Sequence, residues 1–177
     1  MNYEQTFGGW LIELKRHEGL VPLSQEHHSH LLFASRLLKG RPEGIRSNWP
    51  AKNQQEELIK AVKEYYLSDI LSHFKLEEEL VFPLYKQFMD DPEATALLEH
   101  ILAEHQEVRE MVQSLDQLAG GELEERLTKL GEHIKGHIQK EERRLFELIQ
   151  EQVPTDELVE LGVLLRQHSN LKCSHLL

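Results

Sequence analysis

The chain is 177 residues long, 40% apolar and 29% charged, a balance that suits one soluble domain with its own core and excludes a disordered chain. Thirty-one Asp and Glu against 20 Lys and Arg leave a formal charge of -11, so neither a nucleic-acid surface nor a polybasic membrane surface is expected. A lone cysteine, Cys173, excludes a disulfide framework and cysteine-built metal sites, while eleven histidines stand out as the compositional anomaly.

Strand signals are nearly absent and helical periodicity dominates. Residues 1–21 read as an N-terminal extension. Tyr3, Phe7, Trp10, Leu11 and Leu14 recur there at helical spacing, weakened by Gly8-Gly9, and suit packing on the rest of the chain or on a partner. No long uncharged apolar run opens the chain, so a cytoplasmic protein without signal peptide or transmembrane helix is expected. The first helix follows Pro22-Leu23, with Ser24 as its cap and Glu26 in its first turn, and stops at Gly40 before the loop GRPEGIRSNWP. The second begins near Ala51 and runs to about Phe88, where Pro83 is expected to kink or open it. Asp91 caps and Pro92 begins a third helix that reaches about Ala119. Gly120-Gly121 punctuates, and a fourth helix spans roughly Glu122 to Gln152. Thr155 then caps a short fifth helix that precedes the tail SNLKCSHLL. The fold class is all-α: an antiparallel four-helix bundle over residues 22–153, with the fifth helix and tail over 154–177.

Helical geometry, at about 100° per residue, assigns the histidines to faces. On the first helix Leu23, Leu31, Ala34 and Leu38 define the inward stripe. His27 falls at its centre, His28 is a competitor nearby, and His30 lies on the opposite flank. On the second, His73 and Glu77 share a face with Ile70 and Leu80. On the third, His105 points with Ile101, Val108, Val112 and Leu115, while His100 points away. On the fourth, His137 and Glu141 lie on the stripe of Leu127, Leu130, Ile134, Ile138, Leu145 and Leu148, with His133 at its edge. Two ionised glutamates in an apolar core each cost several kcal/mol without compensation. Lys75, Lys135 and Lys140 are read as outward, so metal cations are the better compensation. Histidine nitrogen with carboxylate oxygen suits Fe, Mn or Zn.

The segments EHHSHLL, HFKLEEELVFP, EHQEVREMV and HIKGHIQKEERRLFELI resemble the four helices of the hemerythrin-like, or HHE cation-binding, domain family over roughly Leu23 to Ile149. The resemblance implies a non-haem di-iron centre whose two metals are bridged by two carboxylates. Carried over by motif, the metal ligands are His27 (or His28), His73, Glu77, His105, His137 and Glu141. Oxygen-carrying hemerythrins have H-x3-H on the third helix, whereas here Ile101 and Arg109 flank His105 at that spacing. Reversible oxygen carriage is therefore less firmly implied than metal binding, and His133 or His28 is left as a candidate fifth histidine. Glu78 and Glu142 are read as a solvated face with a possible hydrogen-bonding role, and Tyr65 and Tyr66 as packing residues.

Other sites fit worse: no histidine has a glutamate three residues before it, as ferritin-like centres need, and H-E-x-x-H is absent. The expected function is binding or sensing of oxygen, nitric oxide or peroxide at an open coordination position. A di-iron enzyme reducing nitric oxide or peroxide, or delivering iron for cluster repair, is the first rival. A partner-docking helical module without catalytic metal is the second. A protein partner or homo-oligomer is compatible with each.

Overall fold

The computed structural model describes residues 16–40 and 49–174, together with two short strands near the N-terminus. Those strands, Gln5–Phe7 (β1) and Trp10–Ile12 (β2), pair antiparallel with Phe7 opposite Trp10. The helical spacing of this stretch therefore does not produce a helix in the described residues, in keeping with the weakening read from Gly8-Gly9 in the sequence. Tyr3, Leu14 and most of the loop GRPEGIRSNWP lie outside the described residues, as does His175.

Every other described element is helical. α1 spans Val21–Lys39 and is capped at Leu20, four residues before the expected Ser24, because Pro22 occupies a first-turn position where its missing N–H costs nothing. Ser24 is consequently buried inside the helix instead of capping it. Gly40, at a φ of 72°, ends it. The second rod joins α2 (Gln55–Tyr65), α3 (Leu71–Leu76) and α4 (Phe82–Lys86) through π turns at Tyr66–Ile70 and Glu77–Val81. The opening expected near Pro83 takes the form of the second π turn. α5 spans Pro92–Gln113, and the Asp91 side chain accepts from the Glu93 N–H at 3.0 Å as its cap. α6 (Gly120–Lys140) passes through a π turn, Glu141–Leu145, into α7 (Phe146–Gln152). α8, Thr155–Ser174, is 20 residues long, where a short helix was expected.

Two apolar clusters fill the interior. One holds Leu20, Leu23, Val81, Phe82, Leu98, Ile101, Leu145 and Phe146. The other holds Phe33, Leu37, Val62, Phe74, Val108, Leu115, Leu130 and Ile138. Along α1 the chain runs from the first cluster to the second; along α2 to α4 it returns; α5 and the α6–α7 rod repeat the alternation. The polar side chains at the centre lie between the two. α8 joins the first cluster through Leu158, Leu161 and Leu165. Among the described residues no helix is long and apolar enough to cross a membrane.

The docking of α8 depends on backbone contact. A Cβ added at Gly162 would sit 2.7 Å from Gly19 Cα, and one at Gly19 would sit 1.9 Å from the Leu158 carbonyl oxygen. Gly162→Ala should therefore lower stability by about 1–3 kcal/mol through overpacking. Gly136→Ala, whose new Cβ meets nothing within 4 Å, should hold stability or raise it by up to about 1 kcal/mol through helix propensity. Thermal unfolding followed by circular dichroism checks both signs.

Candidate metal centre

Two local patterns, each used twice, build the centre. α1 and α5 each carry a Glu-His pair, Glu26-His27 and Glu104-His105. The second and fourth rods each carry a histidine one turn before a pair of glutamates, His73 with Glu77-Glu78 and His137 with Glu141-Glu142. In both rods the helix widens at the first of those glutamates. The N–H of Phe82 reaches back five residues to the Glu77 carbonyl, and that of Phe146 to the Glu141 carbonyl. Such π turns concentrate at functional sites. Here they bring Phe82 to 5.9 Å from the His105 ring and Phe146 to 5.4 Å from His27, both stacked.

His27, His73, Glu77, His105, His137 and Glu141 are all buried and meet in one place. They form two groups that share both carboxylates: His27 and His73 with Glu77 and Glu141, and His105 and His137 with the same two. Within each group one donor atom from each residue lies within 4.8 Å of all the others. The halves are near copies. The His27 and His73 rings are 4.7 Å apart at 62°, the His105 and His137 rings 4.8 Å apart at 66°.

The inner nitrogens lie close to the carboxylates. His73 Nε2 is 3.2 Å and His105 Nε2 3.4 Å from Glu77, while His27 Nε2 is 3.2 Å and His137 Nε2 3.3 Å from Glu141. Yet none of the four carboxylate oxygens has a hydrogen-bond partner among the described residues, nor do His105 Nε2 and His137 Nε2. The separations suffice but the directions do not, so these atoms converge on shared points instead of on one another. In the other half His27 Nε2 and His73 Nε2 hydrogen-bond each other at 2.9 Å, so there the unpartnered atoms are the carboxylate oxygens. Buried polar atoms are otherwise almost always paired. Two groups of imidazole nitrogen and carboxylate oxygen, orphaned and convergent, fit a pair of transition-metal cations.

The outer nitrogens are all held. Nδ1 of His27 donates to Glu142 at 2.6 Å, of His73 to Glu26 at 2.8 Å, of His105 to Glu78 at 2.7 Å and of His137 to Glu104 at 3.1 Å. An ionised carboxylate only accepts, so each Nδ1 carries a proton and Nε2 is the nitrogen that turns inward. Cations fix three of those carboxylates in turn. Arg16 binds Glu142 at 2.9 Å, Arg109 grips both oxygens of Glu78 at 2.7 and 3.0 Å, and the Lys140 ammonium binds Glu104.

Protonation follows this arrangement. Burial pushes the His27 ring down, but Glu141 and Glu142 more than offset it and lift it to about 10. His105 is lifted to about 9, its burial outweighed by Glu77 and Glu78. Burial raises the Glu104 carboxyl, but His137 and Lys140 overcome that and hold it at about 2. Glu77 lies well below the usual carboxylate range, its burial outweighed by His73 and His105. Without cations the centre therefore keeps protons on its imidazoles as counter-charge.

Some expectations need correction. His30, placed on the opposite flank, is buried with its ring 4.8 Å from His73. The stripe drawn through Leu31 and Leu38 was rotated: the buried face runs through His27, His30, Phe33, Ala34 and Leu37. His28 is exposed and His133 lies outside both groups, with Nε2 3.5 Å from Glu107. Glu142 is buried and Glu78 half-buried, so neither belongs to a solvated face. Lys140 turns inward at the rim to bind Glu104. Glu26 and Glu104 were missed, although each immediately precedes a histidine and that adjacency, used twice, was a readable signal. Tyr65 stacks on Phe33 at 4.2 Å and Tyr66 is in the core, as packing residues. His100 and His168 are exposed, whereas His17 is half-buried and accepts from the Gly19 N–H.

Comparison with known proteins agrees with this geometry. No curated protein matches the chain as a whole. The family model described as the hemerythrin HHE cation binding domain matches residues 17–149, a span that contains all six convergent side chains and all four outer glutamates. The chain belongs to the hemerythrin HHE cation-binding domain family.

Proposed function

We propose that the chain holds two transition-metal ions, iron by preference with Mn or Zn as substitutes, in an antiparallel four-helix bundle over residues 22–153. His27 and His73 would hold one ion and His105 and His137 the other, with Glu77 and Glu141 shared between the two groups. The observation that carries this reading is the set of four buried carboxylate oxygens without a hydrogen-bond partner among the described residues, faced by four imidazoles whose Nδ1 atoms are already engaged. The alternating course of the chain between two apolar clusters supports the bundle.

Each ion would receive four protein donors, which leaves coordination free for a small exogenous ligand. A bound iron pair supplies one-electron chemistry toward oxygen, nitric oxide or peroxide. The chain's own residues do the rest. The outer glutamates fix ring orientation and keep Nε2 unprotonated toward the metal, and electron-rich ligands follow from that hydrogen bond. Phe74, stacked on His105 at 3.7 Å, together with Phe82 and Phe146, excludes bulk water from the rings. No side chain in the described centre is a free nucleophile or proton donor placed for turnover, which favours binding or sensing of the diatomic ligand over catalysis.

Metal analysis of the purified chain should give two ions per chain, one for each donor group. His27→Ala or His105→Ala should reduce that to about one, and Glu77→Gln with Glu141→Gln should abolish it. Fewer than one ion per wild-type chain sinks the reading. Reversible change of a visible absorption band on adding and removing oxygen or nitric oxide tests the ligand.

Affinity should rise with pH. The metal-free centre holds protons on His27 and His105 up to about 10 and 9, and the loaded centre cannot, so loading releases protons and is favoured as they become scarce. The metal-free fold should behave oppositely on that side. Its raised histidines contribute stability that is full below their ordinary value of 6.5 and is lost as pH rises toward 9 to 10. Depressed Glu77 and Glu104 contribute stability that is present above the ordinary 4.5 and is lost only in strong acid. Unfolding of metal-free and loaded protein from pH 5 to 10 should therefore diverge with increasing pH, and parallel curves would contradict the protonation argument.

A further inference from the structure

The two halves of the centre differ in how they meet solvent. On the His105–His137 side, nitrogen and carboxylate atoms descend in steps. His100 Nε2 lies 3.3 Å from Glu104 Oε1, Glu104 Oε2 lies 3.1 Å from His137 Nδ1, and His137 Nε2 lies 3.3 Å from Glu141. Side-chain exposure falls along the same series from 58% to 8%, 2% and 0%. The Lys140 ammonium sits at the rim of this ladder, bound to Glu104 and donating to His100 Nε2 at 2.8 Å. Donor atoms about 3 Å apart can both touch one cation held at roughly 2.0–2.2 Å from each.

The other half lacks the ladder. Five residues before His105 is His100, but five before His27 is Pro22; three after His137 is Lys140, but three after His73 is Leu76. On that side Arg16, 3% exposed, covers Glu142 and lies over the Phe146 ring at 5.2 Å. Internal symmetry is thus broken at the solvent edge: among the described residues, the His105–His137 half carries an exposed histidine nitrogen next to a buried outer carboxylate.

We propose that His100 and Glu104 form a transient cation site through which metal ions enter and leave the centre, with Lys140 as its gate. In the metal-free chain the ammonium occupies the carboxylate that an incoming ion must take. The ion displaces it, is held between His100 and Glu104, and passes inward as the flexible lysine swings to solvent. The acidic surface of the chain, at a net charge of -11, draws divalent cations toward such a mouth. This inference rests on the two-ion reading above.

A port alters the barrier between free and bound ion without altering either end state. Cobalt(II), followed by its ligand-field absorption after rapid mixing with the metal-free full-length chain, provides the test. Its removal by excess EDTA reads the reverse rate. His100→Ala should slow loading by about tenfold and slow removal by the same factor, leaving stoichiometry and affinity unchanged. Lys140→Met should speed loading, and His28→Ala, which removes an equally accessible histidine elsewhere on the surface, should change nothing. Loading of His100→Ala at the wild-type rate overturns the proposal. So does a loss of affinity in place of matched rate changes, because His100 would then be part of the bound state. Wild-type protein that takes up fewer than two cobalt ions at equilibrium overturns the two-ion reading itself, an outcome distinguishable from a failed port.

Discussion

Two fully buried carboxylates, Glu77 and Glu141, dominate the energetics of this chain. Among the described residues neither has a hydrogen-bond partner for either oxygen, and both lie between apolar clusters where an uncompensated charge costs several kcal/mol. Everything around them alternates in sign or polarity. Four imidazoles face them, four glutamates hold the backs of the imidazoles, and Arg16, Arg109 and Lys140 hold three of those glutamates. Removing the innermost positive charge would leave the layers beyond it mismatched. Protons can supply that charge in the metal-free chain; a pair of metal cations supplies it with better geometry.

The near-identity of the halves has a local cause. A Glu-His pair on α1 faces a His-x3-Glu-Glu segment, and the same pair on α5 faces the second copy. The outer bonds run both along and across this arrangement. His73 and His137 are held by the Glu-His helices, and His27 and His105 by the second glutamate of each His-x3-Glu-Glu segment. Each ring orientation therefore depends on a neighbouring helix, which ties the metal-binding geometry to helix packing. The asymmetry is as informative. In one half Arg16 covers Glu142, and in the other exposed His100 lies beside Glu104 and Lys140.

Helix number, the His-x3-Glu spacing and the capping at Asp91 were legible because each depends on residues a few positions apart. Glu26 and Glu104 were not legible in the same way. Twenty-four other glutamates and a surplus of acid make one more glutamate beside a histidine look like ordinary surface, until a ring on another helix is seen to donate to it. His30 was misplaced because a helix face drawn from leucines alone can rotate by a residue; half-buried Leu31 and Leu38 lie at the edge of the buried face, not at its centre. The N-terminal stretch had helical spacing but forms a strand pair in the described backbone, since spacing competes with the conformational freedom of Gly8-Gly9.

By itself, then, the sequence determined which residues could carry the chemistry: the histidine and glutamate spacings within each helix, set by 3.6 residues per turn. Tertiary structure decided which nitrogen of each ring turns inward and which glutamates become its partners. Those outcomes rest on contacts between residues 27 to 126 positions apart, and no local rule of periodicity or capping carries information across that separation.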